Sequence, residues 1–388
     1  MKASRRTFLA GSVAAVSAGV ARTAFAQIAR PYAQQATIAL NVPLTGELAG
    51  AGLQVVQGAR QAADEANALA TALDRVFFVR TFDDQNRIAN AVLAAQFAGD
   101  DPSAIAAVGH LSGTVTNAVL QQYANAALPL IVPASTLDDI TAHGYRNVFR
   151  LPTKDSTEGS LFARMLVTSL HPRTVTAVAQ DGDYGYAVAK AFTDRANADK
   201  MSAQLIIVPA ISLDFTSVAR RVTASTPEFV FLAGNTAALG ALVPALRGAG
   251  FKGRIGASQG FYNTTTIELA RDLGADAIIS TSMPPLDRVA NNYTSLANLR
   301  GRYGEVTPLM AFGFAATQLV TNAVRRLGAT NRVGALRALR NGGFYDTLVG
   351  SFSFLLSGDP LDPNLYFYTI ADGKFQFKTA SHSSTFLL

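Results

Sequence analysis

The 388-residue chain has no cysteine and only four histidines, and charged residues make up just 15% of it. Without thiols there is no disulfide framework, no thiolate nucleophile and no cysteine-based metal site, and an oxidising compartment poses no pairing problem. His143, His171 and His382 are isolated along the chain, which leaves no metal-ligand spacing. No Lys/Arg-rich stripe with interleaved aromatics appears. Beyond the first 26 residues no run is long and apolar enough to cross a bilayer, for which roughly 20 residues are needed. Gly46, Gly50 and Gly52 lie close together but lack the Lys-Ser/Thr of a phosphate-binding loop, so they read as a turn.

What is present begins with an export signal over residues 1–26. Ser4-Arg5-Arg6-Thr7-Phe8-Leu9 resembles a twin-arginine motif, a mildly apolar run follows at 10–20, and Ala24-Phe25-Ala26 fits an A-x-A cleavage site. The run is too short to anchor the chain, so the remainder is expected in the periplasm after cleavage near Ala26, by the twin-arginine or the general route. Removing Lys2, Arg5, Arg6 and Arg22 takes the formal net charge from +6 to +2. The basicity is therefore mostly the leader's, and nucleic acid is not an expected partner. The rest is longer than one core usually serves, so two domains are expected.

That remainder alternates strand and helix, the pattern of an α/β fold with parallel sheets covered on both faces. Strands are expected at 36–42, 75–82, 105–108 and 128–132, and again at 174–179, 204–209, 229–233 and 254–257, with helices between them. A Pro- and Lys-containing passage at 149–155 separates the two runs and reads as a hinge. Their similar order is that of a duplicated architecture. Asp83-Asp84-Gln85-Asn86 lacks the Gly and distal Glu of a calcium loop and reads as the cap of a helix over 87–97.

The densest signal lies at 105–154. One apolar strand runs into His110-Leu111-Ser112-Gly113-Thr114 and a helix, and a second runs into Pro133-Ala134-Ser135-Thr136 and another helix start. Hydroxyl residues thus stand twice between the end of a strand and the start of a helix. In open α/β sheets ligands bind there, because free N–H groups receive anionic oxygens. The alternative for Ser112, Ser135 and Thr136 is plain helix capping. His110, Ser112 and Asp83 or Asp84 are the residue types of a hydrolase triad. Ser112, however, has no G-x-S-x-G elbow, and nothing in the sequence brings base and acid together. His110 reads as a structural hydrogen-bonder. No catalytic residue, cofactor or metal is expected.

Landmarks across nearly all of the mature chain carry a resemblance. They include Pro43-Leu44-Thr45-Gly46, Phe82-Asp83-Asp84, Val108-Gly109-His110 and Gly144-Tyr145-Arg146-Asn147-Val148-Phe149-Arg150. Tyr184-Gly185, Asp214-Phe215, Arg302-Tyr303-Gly304 and Asp372-Gly373-Lys374 follow in order. In this order and spacing the chain resembles the periplasmic leucine/isoleucine/valine-type (branched-chain amino acid) binding proteins of ABC transporters, with the type I periplasmic binding fold. The resemblance implies two doubly wound lobes joined by three crossovers. The N-terminal lobe would take 36–151 plus 283–350, and the C-terminal lobe 152–282 plus 351–388.

The resemblance also implies a site. Thr136 and the backbone of Ala134 fall where the family holds a ligand α-carboxylate. Ungapped counting puts Gly113 at the other carboxylate position, with Ser112 or Thr114 supplying the hydroxyl. Tyr184 matches an aromatic that closes over the ligand. Three positions depart from the pattern. Gln259 stands where an acid normally pairs with the ligand's ammonium, Asn235 where a tyrosine lines the second lobe, and Ala51 where another aromatic lines the first. A neutral amide in place of a carboxylate weakens ammonium recognition, and the lost aromatics enlarge the pocket. A larger carboxylate, an aromatic acid or an amide-bearing compound then fits as well as a branched-chain amino acid. A local slip in counting would instead bring Asp276 or Glu268 into consideration. The expected function is a solute-binding component, not an enzyme, that delivers a small molecule to an inner-membrane permease. The alternatives are a sensor subunit for a membrane receptor and a periplasmic hydrolase.

Overall fold

Unbroken burial along β1 (Gln35–Val42) and β3 (Ala104–Gly109) marks strands covered on both faces. The computed structural model describes residues 35–69, 75–209, 214–328 and 331–382; the leader expected over 1–26 lies outside them. Alternate side chains of β1 enter opposite cores. Ile38 and Leu40 pack in one with residues of helices Ala49–Ala68 and Pro308–Leu327, and Ala39 packs in the other with residues of helix Ile88–Asp100. With β2 (Val76–Asp83), β4 (Leu130–Val132) and β5 (Val148–Arg150) these strands form a parallel sheet in the order β2-β1-β3-β4-β5.

A second sheet has seven strands. Its parallel part comprises β6 (Thr174–Gln180), β7 (Ser202–Val208), β8 (Phe229–Ala233), β9 (Arg254–Ala257) and β10 (Ile278–Thr281). Two antiparallel strands, β13 (Asn364–Ala371) and β14 (Lys374–His382), extend it. Taken from β7, the order β7-β6-β8-β9-β10 repeats that of the first sheet. The duplication expected from the alternating pattern is therefore one of topology. In such sheets the strand order reverses beside the first strand, which opens a crevice at the carboxyl ends.

In each lobe a glycine lets two helices meet backbone to backbone. A Cβ on Gly58 would lie 1.9 Å from the Met310 carbonyl oxygen, and one on Gly159 would lie 2.1 Å from that of Val188. The first contact fixes helix Pro308–Leu327 to the first lobe. The second fixes helix Asp155–Ser169 to helix Asp183–Ala198 in the second.

The chain crosses between the lobes three times, and Thr153 ties the crossings together. Its backbone N–H donates to Ser282 Oγ (3.0 Å) and its hydroxyl to the Asn364 carbonyl (2.6 Å). Arg150, fully buried at the end of β5, adds a second tie. Its guanidinium bonds Asp359 Oδ1 (3.0 Å from Nε, 2.5 Å from Nη2), the carbonyls of Thr136 (3.0 Å) and Leu137, and the Thr141 hydroxyl. The hairpin β11 (Tyr345–Thr347) and β12 (Gly350–Phe352) stays with the first lobe. Phe352 packs against that lobe's core, and the Phe354 ring sits 5.0 Å from that of Phe149.

Two local expectations give way. The helix expected after Thr136 is a single 3-10 turn, Asp138–Thr141, and Arg150 donates to the carbonyls of Thr136 and Leu137 at its start. Asp83 and Asp84 do not cap helix Ile88–Asp100, which starts from Arg87. Asp83 instead accepts from Leu44 N (2.8 Å) and the Thr45 hydroxyl (2.6 Å), and Asp84 accepts from Asn86 N (2.8 Å). Breaking a buried ion pair by deleting one partner usually costs about 3–5 kcal/mol, so Arg150→Met should lower unfolding stability in urea by that order. A loss below about 1 kcal/mol, the size of an exposed pair, would show the tie to be incidental.

Candidate functional site

The carboxyl ends of the two sheets face each other across a cleft of about 380 Å³. The first lobe contributes the turn after β3 (Leu111–Thr114) and the turn after β4 (Ala134–Leu137). The second contributes the turn after β6 (Gln180–Gly185) and Asn235 after β8, and Asp155 closes the base where the chain passes between lobes. Thr114 Oγ1 bridges the opening to Asp183 Oδ2 at 3.4 Å. The helix after Ser112, Gly113–Ala118, has only six residues, and the element after Leu137 is a 3-10 turn. Macrodipoles this short add little, so recognition rests on direct hydrogen bonds.

Two polar atoms of the lining are buried without a hydrogen-bond partner, Ser135 Oγ and Asp155 Oδ1; the residues are 4% and 1% exposed. Leaving such groups unpaired is unfavourable, and in a cleft lining a ligand can supply the missing partner. Asp155 opens helix Asp155–Ser169, and its backbone N–H donates to the Thr136 carbonyl at 3.0 Å. Burial, then repulsion from Glu158 and Asp138, pushes its carboxyl up to about 8 against the pull of a hydrogen bond from Thr136 and of Arg150.

One turn further along the same helix, Glu158 is fully buried and accepts from four donors. These are Gln259 N (2.7 Å), Gln259 Nε2 (3.0 Å), Ser280 Oγ (2.8 Å) and the Tyr184 hydroxyl (3.3 Å). Burial raises the Glu158 carboxyl above the usual range despite these donors, and raises the Tyr184 phenol well above its own. Gly260 N also reaches the Tyr184 oxygen at 3.3 Å. Glu158 thus locks the second lobe's wall and sets the Tyr184 ring at the cleft edge.

Behind the first turn, His110, Asp84, Tyr123 and Asn41 form a network no more than 1% exposed. His110 Nδ1 meets Asp84 Oδ2 at 2.5 Å, and Nε2 meets the Tyr123 hydroxyl at 3.0 Å, which also takes the Asn41 amide. Base and acid do come together here, a pairing that the sequence did not reveal. Ser112 takes no part. Its Oγ accepts from Val115 N at 3.4 Å as a helix cap, and both nitrogens of His110 are engaged elsewhere. The network braces the turn and does not form a Ser–His–acid relay.

Of the residues singled out in the sequence, Ser112, Gly113, Thr114, Ala134, Ser135, Thr136, Tyr184 and Asn235 all line the cleft. Asn235 also caps helix Thr236–Leu239 and donates to Gln180 Oε1 at 3.1 Å. Gln259 and Ala51 do not line it. The amide of Gln259 is turned onto Glu158 and Ser282, and Ala51 lies in the first turn of helix Ala49–Ala68. Asp276 pairs with Arg254 and Glu268 ends a short helix; neither lines the cleft. Sequence reasoning missed Asp155, Gln180, Asp181 and Asp183. Asp155 had the one usable signal, an acid that ends the hinge passage and opens a helix.

Residues 35–374 match the family described as periplasmic binding protein. The chain is 25% identical over 370 residues to Leu/Ile/Val-binding protein homolog 3 of Brucella melitensis, covering 94% of this chain and 98% of that one. The leucine-binding protein LivK of Thermotoga maritima superposes with a TM-score of 0.79 at 19% identity, over 90% of this chain and 99% of that chain. A solute-binding protein of an ABC transporter from R. palustris, solved with benzoate, gives 0.75 at 18% identity, over 90% and 96%. The class that fold and cleft define is the two-lobed type I binding protein. Within that class, the chain belongs to the periplasmic binding protein family.

The raised carboxyl of Asp155 has a measurable consequence. Its ordinary value is 3.8, so between about pH 4 and about pH 8 the folded protein keeps a proton that the unfolded chain has released. Stability contributed at this residue therefore falls as pH rises through that window. Asp155→Asn removes this slope. The variant should gain over the parent progressively from about pH 5 to about pH 8, by on the order of a few kcal/mol at the upper end, in urea midpoints. Parallel profiles for the two proteins would contradict the assignment.

Proposed function

We propose that this protein is the periplasmic solute-binding component of an ABC uptake system, holding a small carboxylate or amino-acid-like ligand between its lobes. The observation that carries the reading is the cleft at the carboxyl ends of both sheets, with Ser135 Oγ and Asp155 Oδ1 buried and unpartnered in its lining. Ser112 or Thr114, the Gly113 N–H, the backbone of Ala134, Ser135 and Thr136 take the carboxylate from the first lobe. Tyr184 and Asn235 close from the second. Residues 1–26 are then the export signal, cleaved near Ala26. The N-terminal lobe takes 36–151 together with the segment from 283 through the β11–β12 hairpin, and the C-terminal lobe takes the rest, re-entered at β13.

The mechanism is hinge closure. A ligand touches both lobes only when they are together, so binding shifts the population toward the closed form. That form is what an inner-membrane permease would recognise. Thr153, Ser282 and Asn364 form the hydrogen-bonded pivot. Catalysis plays no part, and the ligand leaves unchanged. The family match and the names of the relatives support this reading, and the ligand identities of those proteins give the chemical range to screen.

A thermal-shift panel of amino acids, amides, aromatic acids and dicarboxylates should yield at least one binder that also shrinks the radius of gyration in small-angle scattering. Ser135→Ala and Tyr184→Ala should each weaken that binder by roughly tenfold or more, since each removes a buried contact made in the closed form. Binding without compaction, or turnover of the bound compound, would count against a solute-binding role.

A further inference from the structure

Helix Ile88–Asp100 carries its only charge at its last residue, Asp100, yet just one of its faces is packed. Ala91, Ala95 and Ala98 turn inward to the core beneath the sheet. On the other side Leu93 and Phe97, one turn apart, are 51% and 58% exposed. The outward face of a surface helix usually carries charges, and this one does not. The edge strand β2 continues the same surface. Its alternate residues Phe78, Arg80 and Phe82 share the face of the sheet on which the helix lies. Phe78 is 45% exposed, and the Phe82 ring stacks with that of Phe97 at 6.4 Å between centroids. Arg80 pairs with Asp101 at 3.3 Å, so these two charges cancel.

We propose that this face of helix Ile88–Asp100 and β2 is the contact between two copies of the chain, related by a two-fold axis. Such a contact sets a surface against itself, which like charges would oppose and an uncharged face permits. The helix is also bounded by opposite charges, exposed Arg87 before its first turn and exposed Asp100 at its last. Two copies packed with these helices antiparallel bring Arg87 of each toward Asp100 of the other. Phe78, Leu93 and Phe97, with Phe82 and Ala89, expose roughly 400 Å² of apolar surface, about half of the ~800 Å² that each partner buries in a standard interface. Apolar atoms make up about 60% of such a surface, so this face supplies most of the apolar share.

The position of the face favours a second copy over the permease. It belongs to the first lobe alone, and a partner that reads the closed form must touch both lobes. In the order β2-β1-β3-β4-β5 the cleft turns follow β3 and β4, and the chain leaves for the hinge from β5 at the far edge. Pairing at the β2 edge therefore leaves the cleft open and the second lobe free to swing. The proposal is independent of what the cleft holds.

Sedimentation velocity of the exported protein tests it. Between about 1 and 200 µM the mass should rise from one chain toward two and no further, as for a closed dimer of micromolar affinity. Leu93→Asp and Phe97→Asp each place like charges across the contact and should weaken association at least about tenfold. Circular dichroism checks that both variants fold. Leu356→Asp alters another exposed leucine, on the hairpin where Gly358 bonds Arg150 of β5, and should associate like the parent. A single-chain mass at every concentration overturns the proposal, as does growth beyond two chains. Association that survives both substitutions on the helix, or is lost in Leu356→Asp, overturns it equally.

Discussion

A single buried guanidinium joins the scaffold to the site. Arg150 ends β5, lies beneath the second cleft-lining turn and reaches the approach to the third crossing, and it is fully enclosed. Its bonds to the Thr136 and Leu137 carbonyls hold the turn after β4, and its pair with Asp359 fastens that turn to the segment leading back into the second lobe. A planar group with five fixed donors suits this task, whereas the point charge of a lysine would not satisfy carbonyls and carboxylate together. The turn carrying Ser135 and Thr136 is thus rigid relative to the hinge.

Repetition of one topology accounts for the rest of the site. Each sheet reverses direction beside its first strand, and each presents its post-strand turns at the resulting crevice. Two such crevices facing across a pivot at Thr153 produce a cavity that neither lobe encloses alone. Local rigidity supports this arrangement from behind: His110–Asp84–Tyr123 on one side and Glu158–Tyr184–Gln259 on the other. Of the buried side-chain atoms left unpartnered among the described residues, those of Ser135 and Asp155 line the cleft.

Much of this was legible from patterning. Strand–helix alternation gave the α/β class, and hydroxyls after two strands marked the first-lobe wall, because both signals are local in sequence. Tyr184 and Asn235 followed from the family resemblance. Gln259 was placed at the ligand by counting, but its side chain direction depends on Glu158, 101 residues away, which no local signal encodes. Ala51 failed for a similar reason, since helix Ala49–Ala68 begins behind the Pro43 turn and a Cβ on Gly52 would meet the Pro43 carbonyl at 1.8 Å. Asp155 was read as part of a hinge. It is part of the hinge, and its place in the cleft lining appears only when the first-lobe turn folds against it.

The central claim is that a small solute is held between the two lobes by the turns that follow the strands of both sheets. A crystal structure of the protein with a bound ligand tests it most directly. The account predicts ligand oxygens about 3 Å from donors on the turns around Gly113 and Ser135, with Tyr184 against the ligand from the other lobe. A ligand seated outside this cleft would contradict it.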